Sequence, residues 1–166
     1  MELLLIRHGQ AGKPSPAIYP NDDERPLTAN GERAFKSAAL GLHHLKLDLK
    51  TILTSPTVRT RKTTELLALG LELSPKVIRV VPQLHFGFSP IKALSALGRM
   101  KLRSRVAIVG HEPWLGDFLT LLIAPKGPIA FKWTKGGACL VETPEVGRGN
   151  GRLLWFLTQD QLGMLK

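Results

Sequence analysis

Cysteine is almost absent from this sequence: Cys139 is the single one in 166 residues. One thiol excludes an internal disulfide framework and supplies no zinc-ligand cluster. Its neighbours Ala138, Leu140 and Val141 mark it as a buried strand residue, not a reactive thiol. Long apolar runs are lacking too. The N-terminal stretch Met1-Glu2-Leu3-Leu4-Leu5-Ile6-Arg7 is too short for a membrane span or a signal peptide, and no basic segment leads it. A cytoplasmic protein with no membrane partner is expected. Acidic residues are scarce: 13 Asp and Glu face 23 Lys and Arg, for a net charge of +10. That excess favours anionic partners such as phosphates, acidic protein surfaces, nucleic acid or anionic lipid, but on charge alone a generally basic surface with no dedicated partner is the favoured reading. Repeats, low-complexity tracts and linkers are missing as well. With 43% hydrophobic and 22% charged residues, the chain has the composition of a folded protein. Its length suits one domain over residues 1–166.

What is there is an alternation of short apolar runs and helical patterns. Leu3 to Ile6 reads as a buried strand, followed by a loop punctuated by Pro14, Pro16, Pro20 and Pro26. Thr28 is a candidate N-cap for a helix to about Leu45, with Ala34, Ala38, Leu42 and Leu45 on one face. Thr51 to Thr54 reads as a strand. Ser55-Pro56 then has the form of an N-cap followed by proline at the first helical position, opening a helix that stops near Gly70. Val77 to Val81 is a further strand, and Ser89-Pro90 repeats the helix-start signal. Arg105 to Val109 is a buried strand leading through Gly110-His111-Glu112-Pro113 into a helix that ends near Leu122. Gly137 to Thr143 and Leu153 to Thr158 read as closing strands around the glycine-rich turn 147–151. This order predicts a three-layer α/β/α fold on a mainly parallel mixed sheet.

In such sheets, sites form beyond the carboxyl ends of the strands. The polar residues there are Arg7-His8-Gly9, Ser55 to Arg59, and Gly110-His111-Glu112. Two histidines and two arginines on one rim suit a phosphoryl group. Guanidinium binds its oxygens through a planar fork and stays charged, and nearby helix N-termini add free N–H groups. Arginines and imidazolium can supply the positive charge, so neither a metal nor another cofactor is expected.

These residues also carry a resemblance. Leu4-Leu5-Ile6-Arg7-His8-Gly9 resembles the RHG signature of the histidine phosphatase superfamily, also called phosphoglycerate mutase-like. Arg25-Pro26-Leu27-Thr28-Ala29-Asn30-Gly31 is similar to the segment before that family's first long helix. Ser55-Pro56-Thr57-Val58-Arg59-Thr60-Arg61-Lys62-Thr63 is similar to its SPxxRAxQT segment, and Val109-Gly110-His111-Glu112-Pro113 to its second histidine motif. Four motifs in order, over residues 4–114, make the match specific. The length and Arg7-His8-Gly9-Gln10-Ala11 resemble the small SixA-like branch, whose members include phosphohistidine phosphatases.

The resemblance implies that His8 attacks phosphorus and carries the phosphoryl group while Arg7, Arg59 and His111 form the pocket around it. Gly9, Arg25, Ser55 and His85 are the expected substrate-side residues. A nucleophilic histidine must be neutral, and Arg7 and Arg59 nearby disfavour its imidazolium form. Its second nitrogen is expected to donate to a carbonyl, and Gly9 to permit close backbone approach. Many members acting on alcohol phosphates carry a glutamate acid just after the third strand. Here Pro82-Gln83-Leu84-His85-Phe86-Gly87 has no carboxylate. An alkoxide needs a proton to leave, whereas imidazole is a mild base with a pKa of about 6.5. The expected substrate is therefore phosphohistidine in a protein, with small phosphate esters as the alternative if His85 acts as the acid. A mutase fits less well, and a non-catalytic anion-binding module is the contrasting class. No nucleic-acid motif accompanies the charge.

Among other residues, His43 and His44 read as surface positions, and Trp114, Trp133 and Trp155 as packing. Arg99, Lys101, Arg103 and Arg105 read as a solvated basic run.

Overall fold

The computed structural model describes residues 1–166 apart from Lys101, Arg103, Pro125, Pro128 and Lys166, so two members of the basic run lie outside the described residues. Six strands, β1 (Glu2–Arg7), β2 (Leu49–Thr54), β3 (Ile78–Val80), β4 (Arg105–Gly110), β5 (Ala138–Glu142) and β6 (Arg152–Leu157), form one sheet. Their order is β3-β2-β4-β1-β5-β6. The first four are mutually parallel and the last two antiparallel, the mixed sheet that the alternation predicts. The helices are α1 (Ala29–His44), α2 (Val58–Gly70), α3 (Pro90–Arg99), α4 (Trp114–Ile123) and α5 (Gln159–Gly163).

Strand β1 shows why there are three layers. Its side chains alternate across the sheet. Leu3 and Leu5 join a cluster with Leu94 and Leu97 of α3 and Leu115, Phe118 and Leu122 of α4. Leu4 and Ile6 join the opposite cluster with Phe35, Ala38 and Leu42 of α1, Leu66 and Leu67 of α2, and Leu162 of α5. A strand buried on both faces reads as a continuous apolar run, and that is how Leu3 to Ile6 reads. Each such leucine, fully buried, contributes roughly 1.5–3 kcal/mol. Cys139 is buried in β5.

Helix α1 begins as predicted: Thr28 caps it by accepting from the Gly31 N–H at 2.9 Å. Its buried stripe runs Gly31, Phe35, Ala38, Ala39 and Leu42; Ala34 and Leu45 are only half-buried. The first turn of α1 lies hard against the chain just after His8. A Cβ on Gly31 would sit 2.0 Å from the Gln10 carbonyl oxygen, which itself accepts from Thr28 N–H at 2.9 Å. Backbone cannot rotate out of the way. Gly31→Ala is expected to lower stability by about 1–3 kcal/mol, read from the urea midpoint; an unchanged midpoint would refute the contact.

The helix predicted from Ser55-Pro56 starts later, at Val58 with Thr57 as N-cap. Ser55 instead extends the strand. Its N–H donates to Val109 O at 3.1 Å, and its carbonyl accepts from Thr60 Oγ1 at 2.8 Å. The other helix-start signal holds, with Pro90 in the first turn of α3 after Ser89.

Candidate active site

Register brings the site together. Arg7 of β1 pairs with Gly110 of β4, and Val109 of β4 pairs with Thr54 of β2. The residues one step beyond these strands, His8, His111 and Ser55, therefore emerge side by side. The two imidazole centroids are 5.3 Å apart at 61°. The chain runs from β1 outward to β2 and β3, then returns to insert β4, so this is also where the winding reverses. A cavity of about 510 Å³ opens there, with Arg7, His8, Arg25, Arg59 and His111 in its wall.

His8 is only 7% exposed. Its Nδ1 lies 2.7 Å from Gly9 O. A carbonyl can only accept, so Nδ1 carries the hydrogen and Nε2 keeps a free lone pair. Burial pushes the His8 pKa down to about 3; the Gly9 carbonyl opposes this, and Arg59, Arg7 and Arg25 reinforce it. Burial is thus the main cause of neutrality, ahead of the arginine charges from which the sequence argument started.

Arg59, in the first turn of α2, is 3% exposed. It is held by the loop of residues 12–26: Nη1 donates to Asp22 O at 2.6 Å and Nη2 pairs with Asp22 Oδ2 at 3.0 Å. Asp22 also receives Arg25 Nε at 2.8 Å, and Arg25 Nη1 donates to Gly12 O at 2.8 Å. These arginines hold the Asp22 carboxyl below the usual carboxylate range, the Arg25 hydrogen bond foremost. Arg7 donates to Trp133 O. The Nε of Arg7, the Nε of Arg59 and the Nδ1 of His111 are buried with no hydrogen-bond partner among the described residues. Three buried nitrogens without a protein partner, all on residues that line one pocket, are accounted for if an acceptor-rich ligand enters it. His111, 3% exposed, has its pKa lowered to about 2, by burial first and by His8 and Arg59 next.

Three expected substrate-side residues are placed differently. Ser55 is fully buried behind His111, with Oγ 2.9 Å from His111 Nε2, so it orients the imidazole. Gly9 is buried beneath His8, donates to Thr63 Oγ1 at 3.0 Å, and has ordinary space for a Cβ, whose nearest neighbour would be 3.5 Å away; its carbonyl is the functional group. His85 is outside the cavity wall. Its Nδ1 accepts from Gly87 N–H at 3.0 Å and its Nε2 donates to Asp23 Oδ1 at 2.9 Å, so the proton an acid would release is already committed. Phe86 takes its place in the wall. It stacks on His85 at 4.1 Å, lies under the Arg59 guanidinium at 5.6 Å and meets His111 edge-on at 5.2 Å.

Asp22, Phe86, Glu112 and Lys135, which no sequence motif singles out as site residues, also line the cavity. Glu112 accepts from Gly116 N–H at 2.9 Å, and burial raises its pKa against the pull of that bond and of Arg7. Its place directly after His111 was the available signal. No group of three His, Cys, Asp or Glu side chains poised to hold a metal occurs among the described residues, and no described helix is long and apolar enough to cross a membrane.

Comparison with known proteins agrees with this geometry. The model of the histidine phosphatase superfamily (branch 1) matches residues 3–87. An uncharacterized protein of Picosynechococcus sp. (strain ATCC 27264 / PCC 7002 / PR-6) is 40% identical over 124 residues, 71% of this chain and 70% of its own. The phosphohistidine phosphatase SixA of Escherichia coli (strain K12) is 28% identical over 169 residues, covering 100% of this chain and 99% of SixA. A solved structure of the protein histidine phosphatase SixA complexed with tungstate superposes with a TM-score of 0.81 at 26% identity, over 98% of this chain and 99% of that one. With motif, register and pocket in agreement, the chain belongs to the histidine phosphatase superfamily, in its SixA-like branch.

Proposed function

We propose that this protein removes the phosphoryl group from phosphohistidine in a protein, through a covalent intermediate on His8. The observation that carries the reading is the fixed tautomer of His8. Nδ1–H is locked on the Gly9 carbonyl and Nε2 is bare, beside Arg7, Arg25, Arg59 and His111. In the first step the Nε2 lone pair attacks phosphorus. The P–N bond of the substrate breaks, and its electron pair returns to the departing imidazole, which leaves neutral when its other nitrogen is protonated. Arg7 and Arg59 stabilise charge on the equatorial oxygens. His111 donates from Nδ1, with the Ser55 hydroxyl donating to Nε2 to hold that tautomer. In the second step water attacks phosphorus. Phospho-His8 still carries its Nδ1 proton and is a cationic leaving group, so the P–N pair returns to Nε2, neutral His8 is restored, and dihydrogen phosphate departs. Charge balances without a further base.

Similarity to SixA proteins supports the substrate class, as does the lack of a carboxylate after β3. One observation favours a second reading, small phosphate esters: Glu112 brings a carboxyl with a raised pKa into the cavity from another strand, and an alkoxide needs such an acid. A comparison of kcat/KM for a phosphohistidine protein and a panel of phosphate esters decides between them. The first reading expects the phosphohistidine protein to be favoured by tenfold or more, on the order of 1.4 kcal/mol. A preference for esters that is lost in Glu112→Gln, which keeps an acceptor for Gly116, would establish the second.

A further inference from the structure

The proposed mechanism gives no task to Lys135, a cation of the cavity wall. Lys135 belongs to a segment bound tightly to the end of β1. Arg7 donates to Trp133 O, and Trp133 Nε1 donates to Gly137 O at 2.9 Å. Gly137 O also accepts from Arg7 N–H at 3.0 Å, and Gly136 N–H is shared between Arg7 O at 3.1 Å and His8 O at 3.0 Å. Gly136 has φ +74°, and a Cβ there would fall 1.9 Å from Gln159 Oε1, so only glycine keeps this path. The backbone of Lys135 is thereby fixed relative to the nucleophile.

Its side chain is half-buried in the cavity wall. It makes no ion pair or hydrogen bond among the described residues, whereas Arg59 and Arg25 are both paired with Asp22. Desolvation, then Arg7 and Arg25, lower the Lys135 pKa; no carboxylate offsets them. An ammonium partly removed from water in the field of two guanidiniums is stabilised when an anion joins it. The proposed mechanism gives the phosphoryl oxygens to Arg7, Arg59 and His111, and Lys135, in the field of Arg7 and Arg25, is left for another anion. Lys13, exposed on the loop of residues 12–26, also lines the cavity and adds to the same positive field.

We propose that Lys135 forms a second anion subsite, binding a carboxylate carried beside the scissile phosphoryl group. The inference rests on the phosphatase reading. The carboxylate belongs either to an acidic residue flanking the phosphorylated one in a protein or to a small phosphorylated acid, and two substrate pairs separate these sources. One pair is a phosphohistidine peptide with Asp or Asn next to the phosphohistidine. The other is phosphoserine against phosphoethanolamine, which differ by a carboxylate. The wild type is expected to favour the carboxylate-bearing member of at least one pair by about tenfold in kcat/KM, chiefly through KM. The pair so discriminated names the source. Lys135→Ala is expected to bring that ratio close to one, Lys135→Arg to keep it, and Lys135→Glu to reverse it. If Lys135 merely shaped the loop, its loss would slow both members equally and leave the ratio intact; that outcome overturns the proposal, as does a wild type that treats both members of each pair alike. A wild type with no turnover of any of the four refutes the phosphatase reading and this inference with it, whereas turnover without discrimination refutes the inference alone.

Discussion

His8→Ala is expected to abolish turnover, lowering kcat/KM by more than about 10⁴-fold, while the protein stays folded. The wild type, quenched during turnover of labelled substrate, should carry label that is acid-labile and alkali-stable, as a phosphorylated nitrogen is; the variant should carry none. The size of the effect follows from the geometry. His8 is the imidazole of the cavity whose tautomer is fixed by a carbonyl, which leaves its Nε2 lone pair free. His111 is the nearest candidate, but its Nε2 is taken by Ser55. The remaining pocket can still bind an oxyanion, so the variant should retain affinity for phosphate or tungstate. That separates loss of the nucleophile from collapse of the site. Full activity, or labelling of the variant, would falsify the mechanism.

The parts of this site that were legible in the sequence are those fixed by strand ends. Apolar runs mark β1 and β4, and the polar residues directly after them had to reach one rim, which placed His8 and His111. Arg59 followed from its motif. Other parts depend on contacts between distant segments that no local pattern records. Asp22 meets Arg59 across 37 positions, and only the fold of a proline-rich loop brings it there, although an acidic cluster in so basic a chain was a visible hint. Ser55-Pro56 has the form of a helix start, yet the Ser55 N–H is claimed by the β2–β4 ladder, so tertiary pairing overrode the local preference. At 85 and 86 the neighbours exchanged roles: histidine found partners in the loop, and the aromatic ring faced the phosphate pocket. Helix α5 has a capping box between Thr158 and Gln161, but its five residues are too few to show a helical period in the sequence.

Acid should unfold this protein through the same two histidines that make the site. Above about pH 7 both are neutral, folded or unfolded, and contribute nothing to the pH dependence. Below 6.5 the unfolded chain takes up a proton at each, while the folded protein holds His8 neutral down to about 3 and His111 down to about 2. The unfolded state then binds more protons, so stability falls with pH by ~1.4 kcal/mol per unit for each histidine. From pH 6.5 to 4.5 this amounts to roughly 4–5 kcal/mol for the pair, a large share of the stability of an ordinary domain. Glu112, whose pKa is raised, gains protons more readily when folded and offsets part of the loss. Asp22, whose pKa is lowered, adds to it only below about pH 4. Urea titrations across that range should show the decline, and His8→Asn and His111→Asn should each remove about half of the histidine contribution. A flat wild-type profile would mean that the imidazoles are solvated in the folded state, contrary to their burial. Because His8 stays neutral far below the pH at which stability is lost, the acid limb of activity should follow unfolding or the protonation of substrate. Titration of the nucleophile should not appear in it.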